Sequence, residues 1–223
     1  MSKITIDISS ALTGVTELIV AGWTGRDKEA MEAHISELEQ LGVARPKTTP
    51  LFYRVASSLL TTDRAIQTPG KESSGEVEAI LINHDQTIWI GIGSDHTDRE
   101  IETVSVTASK QMCAKPVGPQ VWKFSDVEDH WDRLELKAYA SLDGERRLYQ
   151  RGVANTLRHP KDLLSLKFGE GAGLPAQHAM FCGTVPVIGD ISFADKFEIE
   201  LIDPVLGRCL KHSYTIQSLP VEG

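Results

Sequence analysis

Hydrophobic residues recur along this chain with two periods. Alternating Ile4 and Ile6, and then the run Leu18 to Gly22, read as strands. Thr24 and Asp27 supply helix-start chemistry for a helix running from about Asp27 to Leu41, in which Met31, Ile35 and Leu38 form one apolar stripe and Gly42 is placed to end it. Pro46 to Pro50 is a loop, and beyond it the pattern turns to β. Strands are expected over 51–55, 76–82, 87–92, 134–140, 178–182, 197–202 and 208–216. Short helices are expected over 127–131 and 161–166, the second opened by Pro160, whose fixed φ suits a first helical turn.

Strands at this spacing, without a regular βαβ rhythm, predict a mixed β-rich α+β roll with few short helices and not a doubly wound fold. There is no internal repeat and no linker rich in Gly, Ser or Pro. One domain over 1–223 is expected, with N-terminal strands and a helix over 1–49 and a β-roll core over 50–223.

Composition narrows the function. The 223 residues are 41% hydrophobic and carry a net charge of −8 with no clustered Lys/Arg run, which argues against nucleic acid or an acidic membrane surface as partner. No window reaches the roughly 18 uninterrupted apolar residues of a membrane span, and the N-terminus has no apolar signal core. A cytoplasmic protein acting on a small metabolite is expected. Cys113, Cys182 and Cys209 are odd in number and lack CxxC spacing, so they are read as free thiols and not as disulfide or zinc partners.

Candidate chemistry gathers in two neighbouring segments. In Gly75-Glu-Val-Glu-Ala-Ile-Leu-Ile82, alternation puts Glu76, Glu78, Ile80 and Ile82 on one face and Val77, Ala79 and Leu81 on the other. A strand apolar on both faces is usually covered on both, which leaves the two glutamates at the mouth of a pocket. The alternative is a pair of solvated residues at a frayed strand start. Weight shifts to a site because Ser94-Asp-His-Thr-Asp-Arg-Glu100 follows the next strand with three acids and a histidine. Carboxylates from adjacent strand ends suit a hard cation such as Mg²⁺ or Mn²⁺. His96 reads as a ligand, a base or a hydrogen-bonded surface residue. Asp98 and Arg99 are expected to pair with each other, and His84 is expected in an exposed turn over 83–86.

These segments resemble the metal-binding signature of the fumarylacetoacetate hydrolase superfamily, Glu-x-Glu followed by an Asp in a segment of the type Asn-Asp-x-Ser-x-Arg-Asp. The resemblance implies Glu76, Glu78 and Asp95 as ligands. It continues in Ala21-Gly-Trp-Thr-Gly-Arg-Asp27, in Pro50-Leu-Phe-Tyr-Arg-Val-Ala-Ser-Ser-Leu59, in Pro116-Val-Gly-Pro119, in Cys182-Gly-Thr-Val-Pro186 and in Ala194-Asp-Lys-Phe-Glu-Ile-Glu-Leu201, in the family's order over roughly 20–215. It implies a β-roll, usually a homodimer, that uses Mg²⁺ or Mn²⁺ to act as a hydrolase or lyase on a small 2-oxo acid or acylpyruvate through a metal-stabilised enolate. It also leaves open a hydratase or tautomerase of the same fold, or a degenerate metabolite-binding protein. The branch it most resembles is a bacterial one without assigned function.

Carried over residue by residue, Lys110 falls at the family's active-site lysine after a one-residue gap, and Thr184 falls in its substrate-contacting loop. Three departures accompany this. Ser94 stands where the family has Asn, Val185 intrudes between Thr184 and Pro186, and Lys28 and Met31 occupy the positions of the water-activating His and Glu of acylpyruvate hydrolases. Hydrolysis requires a general base, for which Glu32, His34 and His96 are the remaining candidates, and its loss at the usual position shifts weight toward lyase chemistry.

Overall fold

The computed structural model describes residues 5–40 and 45–222. Ile4, Leu41 and Gly42 lie outside these residues, as do the side chains of His34 and Leu38, so the outer part of the expected helix stripe and one candidate base are not described.

Among the described residues, twelve strands build two large sheets. In chain order they begin with β1 (Thr5–Asp7), β2 (Glu17–Gly22), β3 (Leu51–Val55), β4 (Ala65–Pro69), β5 (Val77–His84) and β6 (Thr87–Ser94). They continue with β7 (Gln120–Lys123), β8 (Glu135–Leu142), β9 (Glu145–Val153), β10 (His178–Thr184), β11 (Lys196–Asp203) and β12 (Arg208–Leu219). The seven-stranded sheet has the order β1-β7-β6-β5-β10-β2-β3, and the five-stranded sheet has the order β9-β8-β11-β12-β4. Only β2 with β10 and β4 with β12 run parallel in these sheets. This is the mixed β-rich roll expected, and no helix among the described residues is long and apolar enough to cross a membrane.

The helices are short apart from one. They are α1 (Ser9–Leu12), α2 (Lys28–Gln40), α3 (Arg99–Glu102), α4 (Val106–Gln111) and α5 (Pro160–Phe168). Asp27 accepts hydrogen bonds from the amides of Glu29 and Ala30, which is the start chemistry read for α2. The segment expected as a helix near 127–131 is a 3₁₀ turn over Glu128–Arg133. Helices α1, α3 and α4 and strands β4, β7 and β9 are additions to the expected elements. Strand β9 is rich in Arg and Glu because it is a sheet edge; the Asp143–Gly144 turn before it, with both φ positive, is the signal that could have found it.

Strand β5 explains why the acids are near a core. Val77, Ala79 and Leu81 point into the layer shared with Leu136, Ala138, Phe197, Ile199 and Leu201 of the second sheet. Ile80 and Ile82 point the other way, into a cluster with Ile8, Leu12, Val20 and Tyr53. Both faces are covered, so the strand continues toward Glu76 and Glu78 without opening to water.

Candidate metal centre

A two-residue turn aligns the acids. Asp85 and Gln86 both have positive φ, the backbone of a tight hairpin whose twist matches its strands. It pairs Val77 with Ser94 and Glu78 with Gly93. The same register carries one step past the strand ends, where the amide of Asp95 donates to the carbonyl of Glu76 at 3.0 Å. Glu76 and Asp95 are therefore cross-strand neighbours, and Glu78 lies on the same face of β5 as Glu76. One oxygen from each of Glu76, Glu78 and Asp95 lies within 4.8 Å of the others. His84 ends β5 half-exposed, 3.3 Å from the Asp85 carboxylate, and not inside the turn.

Strand β10 supplies the third wall. Its register against β5 shifts between Phe181 and Thr184, which brings Thr184 opposite Glu78. At the shift, Gly183 has φ +99°, and its amide donates to Glu78 Oε2 at 2.7 Å. A Cβ at 183 would lie 1.8 Å from Thr24 Oγ1, so only glycine lets this backbone approach the carboxylate.

Thr184 uses its hydroxyl inward. It donates to the Val77 carbonyl at 2.8 Å and accepts from Gln150 Nε2 at 2.9 Å. Gln150, fully buried, also donates to the Val185 carbonyl and accepts from the Val77 amide. Gln150 thus ties the loop containing Val185 to the strand that carries the glutamates. No motif pointed to it; a buried amide between two strand ends is visible only once the strands are assembled.

The charges around the acids are more numerous than expected. Lys110, on α4, donates to Asp95 Oδ2 at 2.5 Å and lies 3.6 Å from Glu76 Oε2. Lys115, which sequence reasoning passed over, is fully buried and places Nζ 3.1 Å from Asp95 Oδ1. Arg99 does not pair with Asp98, contrary to expectation. It reaches Glu76 at 3.1 Å and Glu102 at 2.7 Å, while Asp98 caps α3 by accepting from the Ile101 amide. The reason is local: once Asp98 turns inward as a helix cap, Arg99 is left facing the strand ends.

Burial raises Glu78 well above the ordinary carboxylate range, and the charges of Asp95 and Glu76 push it the same way. Burial also pushes Asp95 upward, but Lys110 and Lys115 more than offset this and hold it below its ordinary value. Lys110 is raised despite burial because Asp95 and Glu76 face it. All donors are carboxylate oxygens and the Glu78 carboxyl has acidic neighbours, so the residues present fit a hard divalent cation.

His96 sits outside this oxygen cluster. It is fully buried, with Nδ1 3.0 Å from the Tyr214 hydroxyl and Nε2 3.0 Å from Ser73 Oγ. The Tyr214 hydroxyl also lies 2.8 Å from Ser94 Oγ, which continues the hydrogen-bonded chain from His96. Burial, then Lys115 and Arg99, push His96 down to about 3. Both ring nitrogens are engaged, which links Ser73 to Tyr214. Lys28, which stands where the family has His, is exposed at the start of α2, and the base candidate Glu32 is exposed and engaged by Arg45 at 2.6 Å. A hollow of about 610 Å³ lined by Leu60, Asp63, Ile66 and Gln217 includes none of these residues.

Comparison with known proteins gives a family and a fold. Residues 21–214 match the family model described as a protein of unknown function, DUF2848. No curated protein matches the chain. Among solved structures, the yeast ynq8 protein, of the fumarylacetoacetate hydrolase family, superposes with a TM-score of 0.67 at 17% identity, covering 96% of this chain and 98% of that one. Cg1458 gives a TM-score of 0.67 at 16% identity over 92% and 77%. A 2-keto-3-deoxy-D-arabinonate dehydratase complexed with magnesium and 2,5-dioxopentanoate gives 0.62 at 14% identity over 96% and 82%.

Proposed function

Since this chain belongs to the DUF2848 family and has the fumarylacetoacetate hydrolase fold, we propose that it is a divalent-metal-dependent enzyme acting on a small 2-oxo acid or acylpyruvate-like substrate. The observation that carries this reading is the set Glu76, Glu78 and Asp95, three carboxylates converging within 4.8 Å, two of them buried. Buried like charges repel unless a proton or a cation lies among them. Mg²⁺ or Mn²⁺ held there would supply Lewis-acid stabilisation of the negative charge developing on the substrate's oxo group.

The chain's own residues divide the remaining work. Lys110 presents an ammonium at the edge of the acid cluster, where it is placed to balance a substrate carboxylate or to hand over a proton from Nζ. Thr184, its hydroxyl committed to Val77 and Gln150, shapes the loop beside Glu78 and does not act as a nucleophile. With Lys28 and Met31 where the His and Glu of acylpyruvate hydrolases would stand, and with both nitrogens of His96 engaged, the chain favours lyase or dehydration chemistry over hydrolysis. The fold shared with the dehydratase that binds magnesium and 2,5-dioxopentanoate supports the same direction. A tautomerase is the alternative, and product mass separates them because tautomerisation leaves mass unchanged. The homodimer implied by the family resemblance belongs to this reading and is checked by sedimentation velocity.

The test is calorimetry with Mn²⁺ and Mg²⁺ on chelator-stripped protein beside Glu76→Ala and Asp95→Ala. Binding to the wild type that disappears in both variants is expected and justifies screening 2-oxo acids with metal present. A wild type that binds neither ion, with or without oxalate, overturns the proposal.

A further inference from the structure

The two lysines on Asp95 occupy different atoms. Lys110 takes Oδ2 and also lies 3.6 Å from Glu76 Oε2. Lys115 takes Oδ1, and among the described residues its ion pair is to Asp95 alone. Lys115 Nζ also donates to the backbone carbonyl of His96 at 2.5 Å, gripping the turn that carries Asp95 at a second point. Its own backbone is anchored, because Lys115 and Pro116 pair in parallel with Leu60 and Thr61. A lysine with no solvent exposure is expensive to keep in a fold unless its partner needs it.

We propose that Lys115 is a positioning residue of the metal centre: it holds Asp95 through Oδ1 and the His96 carbonyl so that Oδ2 faces Glu76 and Glu78. This rests on the metal-site reading above. The two lysines then have opposite relations to a cation. Lys115 supports Asp95 from behind, whereas Lys110 competes for the oxygen that the cation would use. Removing a group that orients a metal ligand typically weakens metal binding about 10- to 100-fold.

The experiment is Mn²⁺ calorimetry on the wild type, Lys115→Met and Lys110→Met, with thermal melts of the apo proteins. Lys115→Met is expected to bind Mn²⁺ about 10- to 100-fold more weakly, and Lys110→Met at least as tightly as the wild type. Affinity of Lys115→Met within about two-fold of the wild type, or equal weakening by both variants, overturns the assignment. A wild type that does not bind Mn²⁺ overturns the metal reading and this inference with it, whereas normal wild-type binding with an unaffected Lys115→Met overturns the inference alone. Should Lys115→Met fail to fold, Lys115→Met combined with Asp95→Asn removes both buried charges. Recovery of a cooperative melt supports the pairing, and no recovery overturns it.

Discussion

Replacing Glu78 by Gln separates the metal reading from a purely structural role for the acids. Glu78 is 2% exposed, and its carboxyl is raised by burial and by Asp95 and Glu76, so the folded apo protein holds its proton at pH values where the unfolded chain has lost it. That proton's contribution to stability is fully present below the unfolded value near 4.5 and is lost as pH rises through the folded value. Within that window the loss has a limiting slope of about 1.4 kcal/mol per pH unit. Gln keeps an oxygen for the Gly183 amide but cannot ionise, so the wild-type melt should fall relative to the variant's as pH rises. Metal reverses the order. At a free Mn²⁺ concentration one hundred times Kd the wild type should gain about 2.7 kcal/mol. For a chain of this size that is a rise in Tm of about 5–10 °C. Glu78→Gln, with one anionic ligand fewer, should show little of it. The assay is a set of thermal melts across pH with chelator or Mn²⁺. A variant that keeps the full Mn²⁺ shift, or apo melts whose pH dependence is the same with Glu and Gln, would refute the reasoning.

Three further outcomes follow from named contacts. Gly183→Ala combines a positive φ with a Cβ 1.8 Å from Thr24 Oγ1, and should cost about 1–3 kcal/mol in urea denaturation and weaken Mn²⁺ binding by moving the amide from Glu78. Gln150→Leu leaves the buried Val77 amide without its acceptor and should cost about 1–3 kcal/mol in the same assay; a change near zero would mean that the ties to Thr184 and Val185 are dispensable. His96, pushed down to about 3, should show no imidazole titration by NMR between pH 5 and 8, and no limb of an activity profile there should belong to it. A titration in that range would reopen its use as a base.

Much of the fold was legible because apolar alternation is local. The strands at 51–55, 77–84, 87–94, 135–142, 178–184, 196–203 and 208–219 each overlap an expected segment over most of its length. What escaped was polar or short: strands β4 and β7, edge strand β9, and helices α1, α3 and α4, the last two capped by Asp98 and Ser105 and not marked by an apolar stripe. Glu76 and Glu78 were readable as a pair because they share a face by period two, whereas the family resemblance singled out Asp95 among the acids of 94–100. The partners of those acids were not readable. Lys115 comes from a two-residue strand pairing with Leu60 and Thr61, Gln150 from the second sheet, and Gly183 from a register shift in β10.

Sequence alone therefore determined most of the strands and which face of β5 carries acid, since each depends on neighbours a few residues away, whereas the register that aligns Glu76 with Asp95 came from the two-residue turn the structure shows. Tertiary structure decided which charges face one another. It turned His96 into a buried link between Ser73 and Tyr214, moved Arg99 from Asp98 to Glu76, and set a second lysine against Asp95. Electrostatic pairing depends on distance through space and on exclusion of water, and neither is written in the order of residues along a chain.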